Sequence, residues 1–256
     1  MDYNYHTHTV YCGHATDSAE DYIRRAIDCG IRYLGFSDHA PFRFPDGYEA
    51  GFRVPVGQAK NYFEELSRLR EKYRGEIEIR IGFEMEYYPD HFENMRQVAV
   101  DFGAEYLILG QHYVLPENQG GVFSMDRHYE FEDLRAYSNS LVAAMKTGVF
   151  TYVAHPDMYN FIGDNLLYRE EMRKICIASR KMNLPLELNL LGIRDNRIYP
   201  REEFWKVAGE EDAPVTFGFD AHAAMDVYDK ASVTVAERMV KKYALNYIGK
   251  PDLKLL

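Results

Sequence analysis

Ile77-Glu78-Ile79-Arg80-Ile81-Gly82-Phe83-Glu84-Met85-Glu86 places an apolar side chain at every second position and then ends on two carboxylates. Period-two alternation marks a strand with one buried face, so the run predicts a strand that delivers Glu84 to its carboxyl end. Shorter runs on either side repeat the arrangement. Tyr33-Leu34-Gly35-Phe36 leads into Ser37-Asp38-His39, Tyr106-Leu107-Ile108-Leu109 into Gly110-Gln111-His112, and Phe150-Thr151-Tyr152-Val153 into Ala154-His155-Pro156-Asp157. Pro185 to Asn189 leads to a loop with Gly192 and Arg194, and Val215-Thr216-Phe217-Gly218 leads to Asp220-Ala221-His222. At the other end a short aromatic start precedes His6-Thr7-His8, with His14 six residues further on.

Helical spacing separates these runs. Ser18 and its acidic neighbours start a helix that Gly30 stops, and further helices are expected over Gln58–Tyr73, Phe92–Phe102, Phe131–Thr147, Arg169–Asn183 and Ser232–Tyr243. Strand followed by helix or loop, seven times over, implies a parallel sheet with helices outside. Chemistry-bearing residues follow six of the seven strands. A crevice in an open sheet draws mainly on strands beside its switch point, whereas a barrel gathers side chains from all round its carboxyl edge. The expectation is therefore an α/β chain of 1–256 forming one domain, a distorted (β/α)7 barrel.

With 40 acidic and 30 basic residues the net charge is −10, which argues against a nucleic-acid polymer or an anionic membrane as partner. No apolar run spans a bilayer, and the first residues lack the order of a signal peptide, so a cytoplasmic setting is expected. Cys12, Cys29 and Cys176 fit a reducing compartment. A homo-oligomer is compatible with the sequence.

His6 and His8 aim two imidazoles at one point if their segment is extended, which is a metal-ligand geometry. The ordered series His6-x-His8, His14, Ser37-Asp38-His39, Glu84, His112, Ala154-His155-Pro156 and Asp220-Ala221-His222 resembles the polymerase and histidinol phosphatase (PHP) superfamily. Chain length, Glu84-Met85-Glu86 and Asn189-Leu190-Leu191-Gly192-Ile193-Arg194 are similar to its histidinol-phosphatase branch. The resemblance implies a (β/α)7 barrel of the PHP type, three divalent metal ions and phosphoesterase chemistry on a small phosphorylated substrate. It implies His6, His8, Glu84 and Asp220 on a first ion, Glu84 bridging to a second held by His112 and His155, and His14, His39 and His222 on a third. The chain departs from the pattern at Phe219, Gln111 and the Leu190-Leu191 pair, which bear on substrate and not on metal.

Mixed imidazole and carboxylate donors suit zinc, manganese or iron. Closely spaced divalent ions activate water and neutralise phosphate oxygens for in-line attack. The expected catalytic set is Glu84 as bridge, Asp220 as orienter of water, and His222 with His14 and His39 at the ion nearest the phosphate or leaving oxygen. Arginine matches phosphate in pairs, so Arg194, then Arg127, then Arg43 and Arg53, are the expected phosphate contacts. Glu86 is read either as a contact for a substrate amine or as an acceptor behind a liganding histidine. Asp38 orients an imidazole or caps its turn, Asp157 is read as a helix or turn cap before a ligand, and Cys12 as a free thiol near the site before a metal ligand. His91 is read as a surface residue at a helix start, His128 as loop surface or a substrate contact, and Tyr87, Tyr88, Tyr113 and Tyr159 are candidates to line a pocket. L-histidinol phosphate is the first substrate expected, a nucleotide or phosphotyrosine the alternative, and a non-catalytic metal-binding module the reading outside catalysis.

Overall fold

Eight parallel strands follow one another around a single sheet in chain order, in a computed structural model that describes residues 1–256. They are β1 (Tyr3–Asn4), β2 (Tyr33–His39), β3 (Glu78–Met85), β4 (Leu107–Leu109), β5 (Phe150–Val153), β6 (Leu186–Asn189), β7 (Pro214–Gly218) and β8 (Asn246–Tyr247). The longest ladder joins β2 to β3, from Tyr33 opposite Glu78 to His39 opposite Glu84. A chain register thus sets a histidine beside the carboxylate that ends β3.

Closure of the ring happens beyond the strands proper. The extension of β1 meets the extension of β7 in a parallel bridge between Thr7 and Ala221, where His8 N donates to Ala221 O at 2.9 Å and Ala221 N to His6 O at 3.2 Å. At the opposite end β8 pairs with β7, Asn246 opposite Pro214. Tyr3 Oη lies 3.2 Å from Tyr247 Oη and 3.0 Å from Thr216 Oγ1. All seven expected strands are present as β1 to β7, and the short β8 adds to them two residues that carry no alternation to detect. Backbone bonding closes the ring at the carboxyl edge, whereas at the amino edge the Tyr3 side chain links β1 to β7 and β8.

Two cores result. The larger lies between sheet and helices, while Tyr3, Tyr5, Tyr106, Ile108, Tyr152 and Ala154 fill the barrel interior. Tyr106 Oη donates to Tyr5 O at 3.0 Å, so a phenol buried across the barrel keeps a partner.

The helices are α1 (Ala19–Asp28), α2 (Ala59–Lys72), α3 (Phe92–Phe102), α4 (Phe131–Lys146), α5 (Asn165–Met182), α6 (Leu190–Arg194), α7 (Glu202–Glu210) and α8 (Lys230–Tyr243). Ser18 and Asp21 form a reciprocal capping box at α1. Asp164 caps α5 by accepting from Leu166 N and Leu167 N, so that helix starts a turn before Arg169. The loop expected after β6 is instead the short α6, because Asn189 accepts from Gly192 N and turns the chain at once into helix. α7 escapes the sequence reading although Phe204, Trp205, Val207 and Ala208 are all buried. At roughly 1.5–3 kcal/mol for each large side chain removed from water, its packing outweighs its short length. No helix is long and apolar enough to cross a membrane.

Candidate metal centre

The carboxyl edge collects the charged residues that the interior excludes. His6 and His8 leave β1 on one face, and both Nε2 atoms approach Glu84 Oε2, each at 3.5 Å. The same two atoms lie 3.5 and 3.2 Å from Asp220 Oδ1. Glu84 Oε2 also faces His39 Nδ1 at 3.3 Å, while Glu84 Oε1 faces His155 Nε2 at 2.9 Å and His112 Nε2 at 3.5 Å. Each oxygen of Glu84 therefore addresses a different set of imidazoles. The His8 ring lies 4.2 Å from His222 and 4.5 Å from His39, and His14 stands at the rim, 5.0 Å from His222 and 5.3 Å from His39.

Groups behind the cluster aim it. Glu187, buried on β6, accepts from His6 Nδ1 at 2.8 Å, leaving Nε2 turned inward. Its other oxygen accepts from His155 N at 3.1 Å and Asn189 Nδ2 at 2.9 Å. Glu86 accepts from His112 Nδ1 at 2.7 Å, and the backbone oxygens of Cys12 and Asp220 accept from His14 Nδ1 and His222 Nδ1, both at 3.0 Å. Such partners set tautomer and ring direction in metal sites. Two small residues make room: a Cβ on Gly110 would lie 1.9 Å from Glu84 Oε1, and one on Gly218 1.7 Å from Glu187 Oε1. His155 and Asp220 sit at φ of 30° and 49°. Left-handed backbone at non-glycine residues costs on the order of 1–3 kcal/mol and persists where the surroundings hold it.

Electrostatics oppose burial. Burial alone pushes the Glu84 carboxyl up, yet His112, His6 and His155 more than reverse this and hold it well below the usual range. Asp220 is lowered likewise, burial being overcome by His6, His8 and His222. Burial and the neighbouring His8 push His222 down to about 3. The buried atoms His6 Nε2, His8 Nε2, His39 Nδ1 and both oxygens of Glu84 have no hydrogen-bond partner. Buried lone pairs that converge without donors fit divalent cations, which remove the penalty of orphaned polar atoms. Triads such as His6, His8 and Glu84, or His39, Glu84 and His112, bring their ligand atoms within 4.8 Å of one another.

Above the cluster opens a cavity of about 560 Å³, walled by Phe52, Tyr113, Phe123, Met125, Leu191 and Tyr199. Its charged wall is Arg197 with Asp195 and Asp226. The structure brings none of the five expected substrate contacts to this wall, and Arg53 is buried between Glu86 and Glu117. Arg194 turns its Nε to Asp226 at 3.2 Å and supports that residue from behind. Arg43 is exposed and paired with Glu49, and Arg127 is exposed beside Tyr129. Glu86 is buried behind His112, which leaves it as the acceptor and not as an amine contact.

Other expectations sort similarly. Asp38 faces His8 Nδ1 at 3.4 Å and, instead of capping a following turn, accepts from Thr9 N at 3.0 Å and His39 N at 3.1 Å, tying the β1 extension to the end of β2. Asp157 caps nothing of its own; it accepts from Arg201 N at 2.6 Å and Trp205 Nε1 at 2.8 Å, tying the β5 turn to α7. His128 stacks on Tyr159, ring centres 4.6 Å apart, and His91 is half-buried edge-on against Phe44. Of the four tyrosines, only Tyr113 lines the cavity. Glu187, Arg197 and Tyr199 were missed. Alternation within Leu186-Glu187-Leu188-Asn189 is the signal that would have placed Glu187 and Asn189 together on one face.

The model of the PHP domain family matches residues 4–190. A probable histidinol-phosphatase of Deinococcus radiodurans is 27% identical over 236 residues, covering 87% of this chain and 86% of that protein. The histidinol-phosphatase of Bacillus subtilis is 26% identical over 254 residues, covering 87% and 94%. In three dimensions the chain is similar to histidinol phosphate phosphatase from Lactococcus lactis, crystallised with zinc, L-histidinol and phosphate. That likeness has a TM-score of 0.72 at 20% identity over 96% of this chain and 95% of the other, and it shows a common fold. With a family model matched from the β1 strand to the first residue of α6, and the same edge of the barrel carrying its donors, the chain belongs to the PHP domain family.

Proposed function

We propose that the chain is a phosphomonoesterase that uses three divalent ions, zinc, manganese or iron, to hydrolyse L-histidinol phosphate in the cytoplasm. The observation that carries the reading is Glu84, whose two oxygens face two separate imidazole sets. In this reading His6, His8, Glu84 and Asp220 hold one ion, Glu84, His112 and His155 a second, and His14, His39 and His222 a third. Bound there, such ions stabilise charge on phosphate oxygens and lower the pKa of water.

The protein's own groups do the rest. Asp220, held anionic among His6, His8 and His222, orients water by accepting its hydrogen bond. The phosphate end of the substrate meets the floor of the cavity, and Arg197 is the guanidinium on its wall. The aromatic wall of Phe52, Tyr113 and Phe123 packs the organic end and excludes bulk water. Support comes also from the relatives in Deinococcus radiodurans and Bacillus subtilis, whose names state this activity.

The test is phosphate release from L-histidinol phosphate, set beside a nucleoside monophosphate and phosphotyrosine. Turnover of the first that chelator and Glu84→Ala abolish supports the proposal. Preference for either of the others moves the substrate, and undiminished turnover without metal refutes the chemistry.

A further inference from the structure

Behind one ligand of the cluster lies a charge that catalysis does not call for. Arg53, between β2 and α2, is 2% exposed. Its Nε donates to Glu117 Oε1 at 3.1 Å, its Nη1 to Ala40 O at 3.1 Å, and its Nη2 lies 2.6 Å from Glu86 Oε2. Glu86 accepts from His112 Nδ1, and Glu117 opens a 3₁₀ turn, Glu117–Gln119, in the long loop after β4. One guanidinium thus joins three parts of the chain: the β2 loop that carries it, the end of β3, and the β4 loop.

Its neighbour extends the connection to the cavity. Phe52 meets the His39 ring edge-on at 5.1 Å and stacks on Tyr113 at 5.6 Å, while the Arg53 guanidinium lies 5.0 Å from the Phe52 ring centre. A buried arginine survives only where carboxylates meet its fork. Here the carboxylates come from two elements, so neither loop is placed without the other.

We propose that Arg53 is a positioning residue that fastens the two long loops together and, through Glu86, fixes both the ring of His112 and the aromatic wall of the cavity. The proposal rests on the reading of His112 as a metal ligand. Removing the guanidinium frees His112 to rotate and unclamps the β4 loop; removing only the Glu117 charge unclamps the loop and leaves His112 held.

Zinc-loaded protein and its variants are compared by release of zinc to a chelating dye, by amide hydrogen exchange over residues 112–124, and by kcat and KM for L-histidinol phosphate. Arg53→Met is expected to bind one zinc ion roughly 10- to 100-fold more weakly, to exchange faster across the loop, and to raise KM. Glu117→Gln is expected to raise loop exchange and KM while retaining zinc as the parent does, and Arg53→Lys to recover part of both losses. Parent-like zinc retention and loop protection in Arg53→Met overturn the proposal. Should that variant fail to fold, a Glu117→Gln protein with unchanged loop exchange and KM overturns it as well. His112→Ala is the reference: if it keeps all its zinc, the metal reading falls and the proposal with it, whereas zinc loss in His112→Ala alone refutes the role of Arg53 only.

Discussion

Glu187 accepts a hydrogen bond from His6 Nδ1 at 2.8 Å across the mouth of the barrel, joining β6 to the extension of β1. Both residues are wholly buried, so the bond is shielded from water and fixes which nitrogen of His6 points inward. Since Glu187 also accepts from His155 N and Asn189 Nδ2, an amide in its place sets a donor against a donor. Glu187→Gln is expected to weaken metal binding ~10- to 100-fold. Metal content after dialysis against graded chelator reads the loss; full retention would show that Glu187 does not orient the site.

Space around the carboxylates makes a second prediction. A Cβ on Gly110 would lie 1.9 Å from Glu84 Oε1, closer than any packing tolerates. Gly110→Ala must therefore displace Glu84, although it alters no ligand. Phosphate release is expected to fall roughly 10- to 100-fold. An active Gly110→Ala enzyme would show that Glu84 need not bridge.

Removal of metal follows from the orphaned atoms. If folded protein alone binds the ions, at a concentration 100 times Kd they stabilise by about 2.7 kcal/mol per site. For a chain of this size that is roughly 5–10 °C in Tm. Ligation needs deprotonated imidazole. In the metal-free fold burial lowers the His6 pKa, but Asp220, Glu187 and Glu84 outweigh burial and hold it well above the ordinary 6.5. Protons therefore compete with the ions there, and the stabilisation is lost as pH falls through that raised value. Thermal melts with and without chelator at pH 8 and pH 5 check this: the difference should be large at the first and nearly absent at the second.

Two arginines three positions apart separate support from recognition. Arg197 is on the cavity wall, whereas Arg194 braces Asp226 and is not. Hydrogen bonds to charged groups contribute about 1.5–3 kcal/mol, so Arg197→Met is expected to lower kcat/KM by roughly 10- to 100-fold with metal retained. Arg194→Met should act mainly on Tm. Reversed effects would return the phosphate contact to Arg194.

That exchange of arginines marks where the sequence stops being legible. Strands announced themselves because Ile77 to Phe83 alternate, and Glu84, His112 and His155 were visible because polar residues directly after an apolar strand have few other reasons to be there. The approach of Glu84 to five histidines follows once those strands are ordered in a ring. Side-chain direction after β6 does not follow, since Asn189 starts α6 and each helical residue rotates the next by about 100°. Arg194 is carried behind the wall, and Arg197 reaches it only after the chain turns back. β8 was illegible for a different reason: two residues hold no period, and only the gap beside β7 gives them a strand's partners.

Asp157 offers a prediction about stability alone. Burial pushes its carboxyl up to about 6 from an ordinary 3.8, in spite of the hydrogen bonds from Arg201 N and Trp205 Nε1, and its Oδ1 has no partner. A raised carboxyl pKa means that the folded protein binds the extra proton between about pH 4 and pH 6. Stability from this group is therefore greatest below the unfolded value and declines as pH rises through 6, by at most about 3 kcal/mol. Asp157→Asn keeps an acceptor for both donors and removes the ionisation. Urea unfolding of parent and variant under the same metal loading should give a difference that grows in favour of Asn from pH 4 to pH 7 and then levels off. A difference independent of pH would mean that Asp157 enters the folded state already ionised.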